Sequence, residues 1–340
     1  MSFDLTRAPS TDPLSIYRYR DGLYAVDLIT AALKLDFFTW LSANPGTLAD
    51  IRTHFGFAER PADVMITLFV ANGWIKRTGE RLEVTDVAQE HLCADSTWHL
   101  GPYYASLHER PIARDFLEVL TTDRPAGWSG DKASFDWHKA MEDETFARNF
   151  TAAMDCRGIF LAQGLAAKLD LTGRKRVLDI GAGSGIYASA IVAAHPGVTG
   201  VLLDQVPVDR IARKLIEERG VADRVEVVAG NMFDGLPSDC DVHLYSNVLH
   251  DWGIPEVQAL LKVSYEALPS GGLLIIHDAF INEAKDGPLH VAEYSCLLMH
   301  STQGKCYSTG EYAALLAEAG FTPGPYHDTR VGRGFMTAVK

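Results

Sequence analysis

Residues 176–204 constrain the fold more than any other stretch. Arg176-Val-Leu-Asp-Ile180 is an apolar run of β character that breaks at once into Gly181-Ala-Gly-Ser-Gly185. A helical stretch from Tyr187 to Ala194 follows, then a turn at His195-Pro-Gly197 and a second apolar run, Val198 to Leu203, closed by Asp204. Glycines at a strand-to-helix turn let the backbone approach a ligand and leave the first N–H groups of the helix facing it. An acid closing the next strand, about 20 residues on, suits a pair of ribose hydroxyls. The spacing is GxGxG, not the GxGxxG of dinucleotide folds. An NAD site and a ligand-free α/β turn stay open on these residues alone.

The rhythm continues downstream. Val208 to Arg219 reads as a helix, Val225 to Val228 as a third strand and Asp241 to Ser246 as a fourth. Pro255 to Ala267 is a helix, and Leu273 to Asp278 a fifth strand. Strands alternating with helices at this spacing predict an open, mainly parallel sheet with ligands at the carboxyl ends of its strands. That edge carries Gly181 to Gly185, Asp204, Asn231, Asn247 to Asp251 and Asp278.

The front of the chain is different. Ser15 to Leu41 has helical periodicity with a broad apolar face. Thr47 is placed to cap a short helix ending at Phe55, and a second helix spans Ala62 to Ala71. Trp74 to Arg77 and Leu82 to Thr85 read as strands around a turn, which completes a winged helix. Its second helix, ADVMITLFVA, carries no Lys or Arg, whereas a recognition helix needs donors for bases and phosphates. It is built for burial, and the apolar helices ahead of it predict a homodimer contact. Trp98 to Leu120 and Glu144 to Met154 read as linking helices. The formal net charge of −13 disfavours nucleic acid or an anionic membrane as partner. Five cysteines without a CxxC pair fit a reducing compartment, the opening MSFDLTRAPSTDP has no apolar signal core, and a cytoplasmic location is expected.

Taken in order, VLDIGAGSG, the strand ending in Asp204, GNMF, LHDW and GGLLIIHD resemble the class I S-adenosylmethionine (SAM) methyltransferases of the plant O-methyltransferase type. The resemblance implies an α/β fold: a Rossmann-like, doubly wound SAM-binding sheet with an N-terminal winged-helix dimerisation domain. It divides the chain into a helical front domain over 1–97, linking helices over 98–165 that contribute to the substrate pocket, and a methyltransferase domain over 166–340. It implies that Asp179, Gly181 and Gly183 serve the methionine part of SAM and Asp204 its ribose. Asn231, standing where the family has Asp, then faces adenine together with Met232 and Phe233, and Ser246 completes the cofactor set. Met154, in the FxxAM segment, lines the substrate pocket. His250 is the general base that deprotonates a phenol. The family's GKERT-like segment reads Gly304-Lys-Cys-Tyr-Ser308, so the acid that orients this His is absent there.

His300 closes Cys296-Leu-Leu-Met-His300. With His250 and Asp251 it makes up two imidazoles and a carboxylate, the ligand set of a mononuclear non-haem iron site. The resemblance then narrows to the α-keto acid C-methyltransferases, and the expected reaction is methylation at C3 of a 2-oxo acid through a metal-chelated enolate. One of Arg110, Arg114 and Arg124 could hold a substrate carboxylate; Arg124 is carried as the candidate, although nothing in the sequence selects among them. Phe135, Trp137 and Phe150 would wall an aromatic acceptor, and Asp155 or Glu144 would receive a guanidino group. The alternatives are a metal-independent O-methyltransferase with His250 as base, and a winged-helix regulator that binds SAM or a metabolite without turnover.

Overall fold

The computed structural model describes residues 4–7, 9–126 and 140–340. They form two units. One contains the described residues up to Leu14, those from 140 to Phe280 and those from Thr309 to Lys340; the other contains Ser15 to 126 and Ile281 to Ser308.

The first unit is built on a seven-stranded sheet. Its strands are β3 (Arg176–Ile180), β4 (Thr199–Asp204), β5 (Val225–Ala229), β6 (Val242–Ser246), β7 (Leu273–Asp278), β8 (Thr322–Asp328) and β9 (Gly334–Val339). Their order is β5-β4-β3-β6-β7-β9-β8, parallel from β5 to β7 and antiparallel at β9 and β8. β6 and β7 are buried at every position, as expected of central strands covered on both faces. The five parallel strands fall where the apolar runs predict them, and helices Ile186–Ala194, Val208–Glu218 and Ile254–Ala267 follow β3, β4 and β6. Strand order reverses around β3, so β3, β4 and β6 present their carboxyl ends together at a switch point, the standard ligand position of such sheets.

The second unit holds the winged-helix elements: helices Leu48–Phe55 and Glu59–Ala71 and the antiparallel pair β1 (Ile75–Thr78) and β2 (Arg81–Val84). Thr47 caps as expected, in a reciprocal box with Asp50. Helix Glu59–Ala71 starts a turn earlier than predicted because Pro61 is tolerated in a first turn, and it buries Ala62, Val64, Met65, Ile66, Leu68 and Phe69. Ser15 to Leu41 resolves into three helices rather than one or two, and the stretch from Trp98 is broken by Pro111, which opens helix Pro111–Thr122.

Helix Leu289–Ser301 belongs to this unit, where a continuous domain over 166–340 was expected. It is buried along most of its length and packs on helix Glu59–Ala71. Arg60 fixes the arrangement. Its Nη1 donates to the carbonyls of Met299, Thr302 and Gly304 at 3.3, 3.2 and 2.7 Å, which satisfies acceptors at the end of that helix. Its Nε pairs with Asp123 at 2.7 Å. One turn on, Asp63 takes Lys285 at 2.9 Å and Lys305 at 2.5 Å.

Candidate active site

The glycine loop takes its shape from three left-handed residues. Gly181, Gly183 and Gly185 have φ of 67°, 56° and 70°, a region closed to most side chains. A Cβ on Gly185 would stand 2.3 Å from Leu202 Cδ1, whereas one on Gly183 would meet nothing within 4 Å. The two glycines therefore serve different ends: Gly185 permits packing, and Gly183 keeps a cradle open. Asp204 closes β4 beside it, its Oδ2 accepting from Gly183 N–H at 2.7 Å and its Oδ1 from Gln205 N–H at 2.8 Å. Each oxygen retains a second lone pair for a ribose hydroxyl. Asp179 is 1% exposed and accepts from Ala188 N–H at 3.2 Å. Burial pushes its carboxyl up to about 8 against that hydrogen bond, with the charge of Asp204 adding to the rise. Burial likewise lifts Asp204 to about 6, opposed by its two backbone donors. The donor set fits SAM: an open cradle at Gly183 beside a ribose-type acid, Asp204. Asn231 accepts from Phe233 N–H at 3.1 Å in the turn after β5, and the Phe233 ring stands 4.8 Å from that of Trp252.

His250 lies in the short turn Leu249–Asp251 after β6 and is 2% exposed. Its Nδ1 pairs with Asp278 at the end of β7. The expectation that His250 lacks an orienting acid is corrected here: parallel pairing of β6 with β7 brings Asp278 alongside, and Cys306 is not needed for that task. Burial would raise the Asp278 carboxyl, but His250, the Ala279 N–H and Arg333 together hold it below the ordinary range. It is therefore an anion, suited to hold Nδ1–H and to stabilise an imidazolium. His250 Nε2 lies 3.7 Å from Asp251 Oδ1.

Asn247 and Ser246, both expected at this edge from the sequence, shape it together with Arg333, which the sequence did not single out. Asn247, at φ 53°, donates to Tyr187 Oη at 2.9 Å and accepts from Arg333 Nε at 3.3 Å. Arg333 is 1% exposed, a buried arginine delivered by the turn between β8 and β9. Ser246 Oγ meets His277 Nδ1 at 2.7 Å, so Ser246 is engaged within the protein. Arg333 follows Val331-Gly332, and nothing in its spacing marks it.

His300 lies in the other unit. Its Nε2 is 3.3 Å from Asp115 Oδ2, and the rings of Tyr24 and Phe116 pack on it. Among the described residues no group of three or more His, Cys, Asp and Glu is placed to hold a metal ion, so the expected set of His250, Asp251 and His300 is not assembled. Arg110 is committed to the buried Asp27 at 2.8 Å, and Arg124 is exposed. Met154 is partly buried on helix Glu144–Ala166, and Phe150 packs with Met141, Ala147 and Val208. Asp155 and Glu144, the residues offered to a guanidino group, pair with Arg219 and Arg210. Phe135 and Trp137 lie outside the described residues.

No helix among the described residues is long and apolar enough to cross a membrane. Comparison with known proteins agrees with the site. Residues 125–322 match the family model of the O-methyltransferase domain. A 3-hydroxy-5-methyl-1-naphthoate 3-O-methyltransferase of Streptomyces sahachiroi is 29% identical, over 88% of this chain and 86% of its own. An L-tyrosine C(3)-methyltransferase of Streptomyces lavendulae is 29% identical, over 89% and 85%. The crystal structure of an O-methyltransferase family 2 protein from Planctomyces limnophilus in complex with apigenin superimposes with a TM-score of 0.88 at 29% identity, covering 99% of this chain and 98% of that one. With the family model matched over more than half its length, the chain belongs to the O-methyltransferase family and is a SAM-dependent methyltransferase.

Proposed function

We propose that the protein methylates a phenolic hydroxyl of a small aromatic acceptor, with His250 as general base. The pairing of His250 Nδ1 with Asp278 carries this reading. A neutral imidazole has one donor and one acceptor nitrogen, and an anion on Nδ1 makes Nε2 the acceptor. Nε2 then takes the phenolic proton, and Asp278 stabilises the cation that results. SAM, held by Asp179, Gly181, Gly183 and Asp204, supplies an electrophilic methyl group when bound. What remains for this chain's residues is alignment of the nucleophile and exclusion of water. The relatives support an aromatic acceptor, since one is named for a hydroxynaphthoate and one solved structure holds apigenin. A phenolate shares its charge between oxygen and the ortho carbons, so one base serves O- and C-methylation alike. His250→Ala should lower turnover on a phenol panel by about 10²–10⁴-fold while S-adenosylhomocysteine binds unchanged. Undiminished turnover would refute the assignment.

A second reading keeps the 2-oxo acid and the iron. It draws on His300, whose Nδ1 is buried with no hydrogen-bond partner among the described residues while Asp115 takes Nε2. A carboxylate steadying one nitrogen is how many metal-bound imidazoles are held. The described residues do not assemble the remaining ligands, and no step is derived through a metal. Metal analysis of the purified protein, with turnover of 2-oxo acids before and after chelation, decides it: full activity after metal removal ends this reading.

Homodimer formation through the front unit belongs to the same proposal. Ile16, Tyr19, Trp98 and Tyr103 are 77%, 86%, 64% and 82% exposed there. A monomeric mass by light scattering at micromolar concentration would reject it.

A further inference from the structure

The cofactor loop, the base and the acid behind the base are tied together at Asn247. This residue follows β6 directly and stands three residues before His250. Its φ of 53° lies in the left-handed region, which asparagine enters more readily than most side chains but still at a cost. Such a conformation persists only where the surroundings hold it, and bonds to three other segments hold this one. The Asn247 N–H donates to the His277 carbonyl at 2.9 Å, one residue from Asp278. Its Nδ2 donates to Tyr187 Oη at 2.9 Å and to the adjoining Ser246 Oγ at 3.3 Å. Its Oδ1 accepts from Arg333 Nε at 3.3 Å, which brings in the turn between β8 and β9.

Tyr187 is the second residue of helix Ile186–Ala194, which opens directly after Gly185. The residue beside Asn247 makes another link to the same loop. A Cβ on Gly181 would stand 3.0 Å from Val248 Cγ2, so Val248 lies against the start of the loop. The turn that carries His250 therefore meets the glycine loop at both of its ends, by packing at Gly181 and by a hydrogen bond just beyond Gly185. Tyr187 is 7% and Arg333 1% exposed, and neither can turn away from Asn247 without giving up its packing.

We propose that Asn247 is a positioning residue: through Tyr187 and Arg333 it keeps the turn carrying His250 at one fixed distance from the loop that holds SAM. Methyl transfer depends on alignment, and a displacement of about 1 Å costs about a hundredfold in rate. That His250 is the base rests on the phenol reading above, whereas the link between turn and loop can be measured without any acceptor. Hydrogen exchange read by mass spectrometry on the full-length protein does so. Saturating S-adenosylhomocysteine should slow exchange over residues 246–252 of the wild type by about tenfold or more. Asn247→Gly removes the side chain and adopts the same φ at no steric cost, and Tyr187→Phe removes one oxygen. Each should lose most of that protection while the glycine loop itself stays protected. Asn247→Asp, whose carboxylate can accept from both Tyr187 and Arg333, should regain part of it. On a phenol that the wild type methylates, kcat of Asn247→Gly and Tyr187→Phe should fall about 10–100-fold with both KM values within about threefold. Exchange over 246–252 that ignores S-adenosylhomocysteine in the wild type, or protection that survives in either variant, would overturn the proposal. So would an Asn247→Asp protein that regains none of it, or turnover that is unchanged or lost through KM. Protection lost in both variants of an enzyme that methylates no phenol would uphold Asn247 and remove the phenol reading alone.

Discussion

Taking a proton from a phenol near neutral pH requires an imidazole that keeps Nε2 bare, and a partner on Nδ1 enforces that tautomer. Asp278 is that partner, and its place in the sequence, at the end of GGLLIIHD, was plain. What could not be read was its pairing. The segment around Cys306 holds no acid, and the register that sets β7 beside β6 is not written in either strand alone. The cofactor acids were legible, since Asp179 and Asp204 occupy fixed places on either side of a glycine turn. Their burial has a consequence for pH. Asp179 titrates near 8 when folded and in the ordinary carboxylate range when unfolded. A folded value above the unfolded one means that its stabilising contribution is full below about pH 4 and is lost as pH rises through about 8. Thermal melts of wild type and Asp179→Asn across that interval should therefore diverge, the variant gaining relative to the wild type as pH rises. Parallel curves would show that the side chain is not buried as described.

Elements differ in how openly they announce themselves. The five parallel strands and the capped helix after Thr47 follow from apolar runs and one hydroxyl. β8 did not announce itself, and its composition explains why. Thr322-Pro-Gly-Pro opens a strand that is largely exposed, sits at the sheet edge and shifts register between Pro323 and Tyr326. Proline is tolerated in just such a place and erases the alternation by which strands are recognised. The glycine loop offers a sharper trial of the site. Gly185→Ala adds an overlap with Leu202 to an unfavourable φ and should destabilise the fold by about 2–4 kcal/mol. Gly183→Ala carries only the conformational strain, about 1–2 kcal/mol, yet puts a methyl group in the open cradle. Denaturant titration beside S-adenosylhomocysteine binding should thus separate a folding defect in one from a binding defect in the other. Equal behaviour of the pair would contradict the roles assigned to them.

At the scale of the whole molecule, the division of the chain was the least legible feature. Grouping 281–308 with the front helices depends on contacts some 240 residues apart, Arg60 to Gly304 among them, and no local pattern encodes those. Arg60 is also the place to test that grouping. Its side chain is 10% exposed and answers four carbonyls and one carboxylate. Arg60→Ala should cost about 2–4 kcal/mol, since buried acceptors lose a charged donor. A loss under about 0.5 kcal/mol in chemical unfolding would mean that water replaces it freely.

Ile281 and Ser308 bridge in parallel, so the chain sets out toward helix Leu289–Ser301 and comes home at adjacent positions. For anyone building chimaeras this is a natural pair of splice points: a foreign excursion of different length can be grafted there with its ends already in register. The graft will not travel alone. Arg60 and Asp63 are the sockets into which the native excursion plugs, and a transplanted one must bring matching sockets on its own version of helix Glu59–Ala71.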